Sequence, residues 1–187
     1  MARTESNMID LGTPAPAFSL PDTVSGRRMG LDDIAGEKAT VVMFICNHCP
    51  FVVHILDGLL DFARDYSPPE VGVVAISAND VANYPQDGPD KMKALAQEKG
   101  FPFPYLYDET QATARAYDAA CTPDFFVFDQ QRRLVYRGRF DAASPGNSEP
   151  VTGAELRAAV DALLGGQQPP SQQHPSIGCN IKWKAGQ

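Results

Sequence analysis

The stretch "ATVVMFICNHCPFVVHILDGLLDFARDY", residues 39–66, sets Cys46 and Cys49 at the point where a β-branched apolar run gives way to a helical pattern. Residues 39–45 are short and continuously apolar, the signature of a strand buried on both faces. Beyond Pro50, apolar residues at 52, 55, 56, 59, 60 and 63 recur at the spacing of one helix face, with His54, Asp57, Asp61 and Arg64 opposite. The cysteines therefore stand at a strand-to-helix junction, where unpaired backbone N–H groups and the positive end of the helix dipole stabilise a thiolate. Two thiols at this separation can also close into a disulfide.

Pro50 bears on which sulfur is favoured. Were Cys46 the start of the helix, Pro50 would remove the hydrogen bond to the Cys46 carbonyl and collide with it. With Cys49 as the N-cap, Pro50 takes the first helical position, where proline is favoured. His48 directly precedes Cys49, and a protonated imidazole there would lower the cysteine pKa and make the disulfide more oxidising; the alternative is an exposed loop histidine without a role. His54, on the polar helix face, is expected to be solvated.

Outward from the junction, "VGVVAISA" (71–78) reads as a second buried strand and "PDKMKALAQEKG" (89–100) as a helix capped by Asp90 and stopped by Gly100. A short helix is expected near 111–118. "DFFVFDQQRRLVYRGRF" (124–140) reads as an antiparallel hairpin. The last helix opens with Thr152 and Glu155 in capping-box spacing, followed by Leu156, Ala159, Val160, Leu163 and Leu164 on one face. Alternating strands and helices imply a parallel sheet.

In "CTPDFFVFD" (121–129), the Thr122–Pro123 pair before an apolar strand invites a bend, and an X-Pro bond so placed can be cis. Cys121 is either a small core residue or a third thiol. "GGQQPPSQQHP" (165–175) is a linker or extended segment. We expect one domain over 1–165 and a tail over 166–187. Ile177, Ile181 and Trp183 around Cys179 would let that tail dock on the domain, either carrying a thiol with it or only covering an apolar patch.

The composition narrows the function classes. At 187 residues, with 43% apolar and 21% charged, the chain suits one soluble domain, and no run is long enough to span a bilayer. A net charge of −7 and pI near 4.9 disfavour nucleic acid and anionic lipid. "MARTESNMIDLG" does not read as a secretory signal, so a cytoplasmic location is expected. Four cysteines without such a signal point to redox catalysis or metal binding rather than a disulfide framework, and a zinc knuckle would need a second pair like Cys46 and Cys49.

The strand, the CxxC, the helix and the later Thr-Pro before a hairpin together resemble the thioredoxin superfamily. The closer similarity is to its peroxiredoxin-like branch, the alkyl hydroperoxide reductase and thiol-specific antioxidant group. "LGTPAPAFSLPD" (11–22) resembles that branch's entry segment, "CTPDFFVFD" and "LVYRGRF" its later strands, and "PSIGCNIKWK" (175–184) the tail of a subgroup carrying CxxCP. The resemblance spans roughly residues 8 to 165. It implies a thioredoxin-like α/β fold, a central mixed sheet flanked by helices, with a C-terminal extended tail.

What the resemblance implies for chemistry divides. Cys46 and Cys49 match the thioredoxin pair, in which Cys46 would be the exposed attacker, whereas Cys49 with Pro50 matches the peroxidatic cysteine and its following proline. The branch's threonine and proline that polarise a peroxide are replaced by Cys46 and Val42. Its arginine aligns near Pro123, which instead matches the thioredoxin cis-proline, leaving Arg137 and Arg139 as distant substitutes. The leading expectation is a thiol–disulfide oxidoreductase acting on protein or small-molecule disulfides, with Pro123 shaping the groove and Thr122 offering backbone hydrogen bonds to an extended peptide. A thiol peroxidase with Cys49 resolved by Cys46, Cys121 or Cys179 is the alternative. A copper carrier using Cys46 and Cys49 with His48 or Cys121 is a further one, with His174 the one histidine far along the chain. A cellular thiol reductant is the expected partner, and no cofactor is expected.

Overall fold

Ala39–Phe44, buried at every residue, is the middle strand of a five-stranded sheet, and its position there organises the molecule. This computed structural model describes residues 3–186; residues 1, 2 and 187, the outer ends of the expected domain and tail, lie outside the described residues. In chain order the elements are β1 (Arg3–Glu5), β2 (Ser19–Pro21), β3 (Arg28–Gly30), α1 (Leu31–Ile34), β4 (Ala39–Phe44), α2 (Pro50–Asp65) and β5 (Val71–Ser77). A 3-10 turn at Pro85–Asp87 leads into α3 (Pro89–Lys99), β6 (Tyr105–Tyr107), α4 (Ala112–Ala116) and β7 (Cys121–Thr122). The chain ends with β8 (Asp124–Asp129), β9 (Leu134–Gly138), α5 (Ala154–Leu164) and β10 (Ile177–Asn180).

The main sheet runs β6-β5-β4-β8-β9, with β4, β5 and β6 parallel, β8 antiparallel to β4 and β9 antiparallel to β8, so the sheet is mixed. Alternate residues face opposite sides. Val41, Met43, Phe125 and Val127 join a core with α2, α3 and α5, while Val42, Phe44, Phe126 and Phe128 join a second core with α4 and the β2–β3 hairpin. Burial on both faces explains why β4 and β5 read as unbroken apolar runs. Each fully buried Leu, Ile or Phe contributes about 1.5–3 kcal/mol of transfer free energy.

Two expected helix starts are corrected. Helix α3 is capped by Gly88 and begins at Pro89, so Asp90 falls in its first turn; proline is preset for that first position. Gly100 does stop it, in the left-handed conformation. The Thr152–Glu155 capping box does not form. The Asp141 carboxylate accepts the backbone N–H groups of both Thr152 and Gly153, which leaves Gly153 as the cap at φ 68°, a position tight against Phe140. Glu155 is thereby released to pair with Arg139 and His174.

The register of β4 with β8 positions the cysteines. Phe44 lies opposite Asp124, so residues 45–49 and 121–123 meet at one end of the sheet, beyond the carboxyl ends of the parallel strands. The tail returns to this end. Strand β10 lies antiparallel between β1 and β7, with Cys179 opposite Thr122 and Arg3. Gly178 permits that approach, because a Cβ there would stand 2.0 Å from the Thr122 carbonyl oxygen. The preceding segment is pinned as well: Gln173 accepts the Arg137 backbone N–H and donates to the Val135 carbonyl. No helix among the described residues is long and apolar enough to cross a membrane.

Candidate active site

Strand β4 ends at Phe44, and the loop Ile45–His48 carries the chain to α2, whose N-cap is Cys49 with Pro50 in the first turn. The proline ring thus fixes where the helix begins and which cysteine receives its N-terminal field. All four cysteines are free thiols, and none is more than 4% exposed, so any reaction partner must reach them through a local opening.

Cys49 is surrounded by sulfur and carbonyl groups. Its Sγ lies 2.7 Å from Cys179 Sγ and 3.2 Å from the Thr122 carbonyl oxygen. The sulfur–sulfur distance exceeds the roughly 2.05 Å of a disulfide, and both are free cysteines. Cys46 Sγ lies 3.4 Å from Thr122 Oγ1. The Thr122–Pro123 peptide is cis. Cys121 faces away into the core, 3.5 Å from the Pro123 carbonyl oxygen.

These contacts separate the four thiols electrostatically. Hydrogen bonding from the Cys46 thiol is the main cause that brings the Cys49 pKa down to about 5, against burial, with further help from Cys179 and the Val52 backbone amide. Donating that hydrogen bond, together with burial and the nearby Asp87 charge, pushes Cys46 well above the ordinary thiol range. Burial and the bond to Cys49 push Cys179 up to about 12, and burial with the Asp124 charge raises Cys121. Of the four, Cys49 is the sulfur whose surroundings favour the thiolate.

A pH titration checks this. The folded-state pKa of Cys49 is depressed, so the stability it contributes is present above the ordinary thiol range and is lost as pH falls through about 5. The thiolate ultraviolet absorbance of the wild type, with Cys49→Ser as baseline, is expected to have its midpoint near 5, and Cys46→Ala is expected to move that midpoint upward. A wild-type midpoint near 8.5, the ordinary thiol value, would refute the assignment.

His48 is held from two sides. Its Nδ1 lies 2.5 Å from the Asp87 carboxylate and 4.0 Å from Cys46 Sγ, and its ring stacks on Tyr84. Asp87, wholly buried, also accepts the backbone N–H groups of Asn47 and His48 and the Asn79 amide. Tyr105 donates to Asn47 Oδ1 from below. Asp87 therefore braces the cysteine loop. Nothing in "NYPQDGPD" reveals this, because the segment reads as a turn and its partners lie some forty positions earlier.

Cys46, His48 and Asp87 also form a group whose ligand atoms lie within 4.8 Å of one another, which would be the place for a metal ion. The Asp87 oxygens are already engaged by four N–H donors, a poor fit to a metal-binding carboxylate. Of the other expected residues, His54 is exposed on α2, His174 pairs with Glu155, Arg137 is buried against Asp124 and Arg139 pairs with Glu155. The backbone of Thr122, expected to receive an extended peptide, is paired with β10 of the same chain. A cleft of about 270 Å³, lined by Ile45, Cys46, Val52, Val53, Leu56 and Phe101, opens beside Cys46.

Comparison with known proteins agrees with this architecture. No curated protein matches the chain. An uncharacterized conserved protein from Geobacillus kaustophilus is 54% identical, with a TM-score of 0.98 over 100% of this chain and 99% of that one. A hypothetical protein from Sinorhizobium meliloti is 51% identical, with a TM-score of 0.95 over 98% and 100%. A peroxidoxin from Mycobacterium tuberculosis, 19% identical over 84% of this chain and 98% of its own with a TM-score of 0.62, shares the fold. The AhpC/TSA family pattern matches residues 11–137, well over half of the chain. This protein belongs to the AhpC/TSA family and is a thiol redox enzyme with a thioredoxin-like fold.

Proposed function

We propose that the protein is a thiol–disulfide oxidoreductase in which Cys49 attacks and the oxidised state rests as a Cys46–Cys49 disulfide. The observation that carries this reading is the placing of Cys49 at the N-cap of α2 with Cys46 three positions before it, both sulfurs set against Thr122, at 3.2 Å from its carbonyl oxygen and 3.4 Å from its Oγ1. Attack on a disulfide R–S–S–R forms a mixed disulfide and releases one thiolate; a protein thiol then displaces the second. The cleft beside Cys46 gives a cellular thiol reductant, the expected partner, a route back to the oxidised pair. Reduced protein is expected to reduce 2-hydroxyethyl disulfide and to yield a Cys46–Cys49 peptide pair on mass spectrometric mapping. Failure to reduce this disulfide, with no such pair after mild oxidation, refutes the reading.

A second reading, a thiol peroxidase with Cys49 as peroxidatic cysteine, is favoured by the seating of β10. The edge at Thr122 is filled and Cys49 is wholly buried, which suits a small oxidant better than an extended peptide. Against it, Cys46 stands where the branch has threonine, and Arg137 is committed to Asp124. Peroxide consumption no faster than that of a free thiol excludes it.

A further inference from the structure

Strand β10 lies where the sequence reading places an extended substrate peptide: antiparallel along the backbone just before cis-Pro123, with Cys179 opposite Thr122. Its seat is built on both sides. Ser176 Oγ donates to the Pro123 carbonyl, the Ile181 N–H to the Ala120 carbonyl and the Lys182 N–H to Asn79 Oδ1. On the far edge β1 pairs with it, and the Ser6 hydroxyl accepts the Ser176 N–H. These contacts set Cys179 Sγ 2.7 Å from Cys49 Sγ. Cys46 lies on the other side, its Sγ 3.4 Å from Thr122 Oγ1, and, though buried, it borders the cleft beside α2.

We propose that Cys179 is a third redox thiol, presented to Cys49 by a strand lying in the place of a substrate, and that oxidation passes from Cys49 to a Cys49–Cys179 disulfide and then to Cys46. This rests on Cys49 being the nucleophile, as both readings above have it. With a low-molecular-weight hydroperoxide ROOH as oxidant, Cys49 thiolate takes one oxygen to become sulfenic acid, and the alkoxide leaves with a proton from water as ROH. The Cys179 thiol attacks that sulfur, forming the Cys49–Cys179 bond and releasing water. Cys46 then attacks Cys49, forming the Cys46–Cys49 bond, and its proton goes to the departing Cys179 thiolate. With a small disulfide as oxidant the first intermediate is a mixed disulfide, and RSH leaves in the place of water. The sequence moves the oxidised pair from the strand-covered side of Cys49 to the side that borders the cleft, where a local opening would admit a reductant.

The test is a rapid-quench time course of the full-length reduced protein with one equivalent of hydrogen peroxide, trapped by alkylation and mapped by mass spectrometry. Wild type is expected to show Cys49–Cys179 first, decaying into Cys46–Cys49. Cys46→Ser is expected to stop at Cys49–Cys179, and Cys179→Ser to form Cys46–Cys49 roughly tenfold more slowly or worse, since a positioned thiol is lost. Cys49 oxidised with no Cys49–Cys179 at any time, and Cys179→Ser reacting at the wild-type rate, overturn the relay alone. Should Cys46→Ser fail to fold, the order of the two disulfides in the wild type decides. Cys49 left unmodified overturns the assignment of the nucleophile itself, a result the relay's own failure does not produce.

Discussion

Cys49→Ser is expected to abolish turnover, with kcat/KM for reduction of 2-hydroxyethyl disulfide falling about a thousandfold or more, the scale seen when a nucleophile is removed. The argument is positional. Cys49 alone caps α2, and it alone is drawn below the ordinary thiol range, while the other three thiols are pushed above it. Cys46→Ser is expected to retain single-turnover attack and lose multiple turnover, because the mixed or internal disulfide then lacks its final acceptor. The thioredoxin precedent makes the opposite claim, with Cys46 as attacker, and the pair of variants separates the two. Single-turnover reaction surviving in Cys49→Ser and vanishing in Cys46→Ser would reverse the assignment.

Local rules made much of this readable in the chain. The buried runs at 39–45 and 71–78 are strands because both their faces are covered, and the switch to helical spacing after Pro50 locates the cysteines at the junction. Pro50 identified the capping cysteine because its fixed φ leaves few places for a helix to start. What escaped depends on distant register or on competition. Strands β2 and β3 have three residues each, too short for an alternating pattern to show. Thr152 is a good cap by propensity, yet the Asp141 carboxylate takes its amide and that of Gly153 first. The brace by Asp87 and the seating of β10 against β7 join segments far apart in the chain, and neither leaves a local mark. Apolar residues around Cys179 showed that the tail could dock; only the pairing with Thr122 shows where.

Arg137→Ala is expected to be the most destabilising single change outside the cysteines, lowering unfolding free energy by about 3–5 kcal/mol, the cost of leaving a buried charge without its partner. Arg137 and Asp124 are both wholly buried, and the guanidinium meets the carboxylate through both of its terminal nitrogens, Nη2 at 2.9 Å from Oδ2. Its Cζ also lies over Phe126, 3.9 Å from the ring centre. Arg137→Lys is not expected to restore stability, because an ammonium cannot reproduce either the two-pronged contact or the stacking. Asp124 further accepts Ser6 Oγ at 2.7 Å and the Ala120 N–H at 3.0 Å, and Ser6 holds Ser176 at the entry to β10. Loss of the arginine should therefore be felt twice: as a lower urea midpoint, and as faster amide exchange at Ile177–Asn180 than in the strands of the main sheet. A midpoint change equivalent to less than about 1 kcal/mol, the range of an exposed pair, would show that the ion pair is not what holds this end of the molecule together.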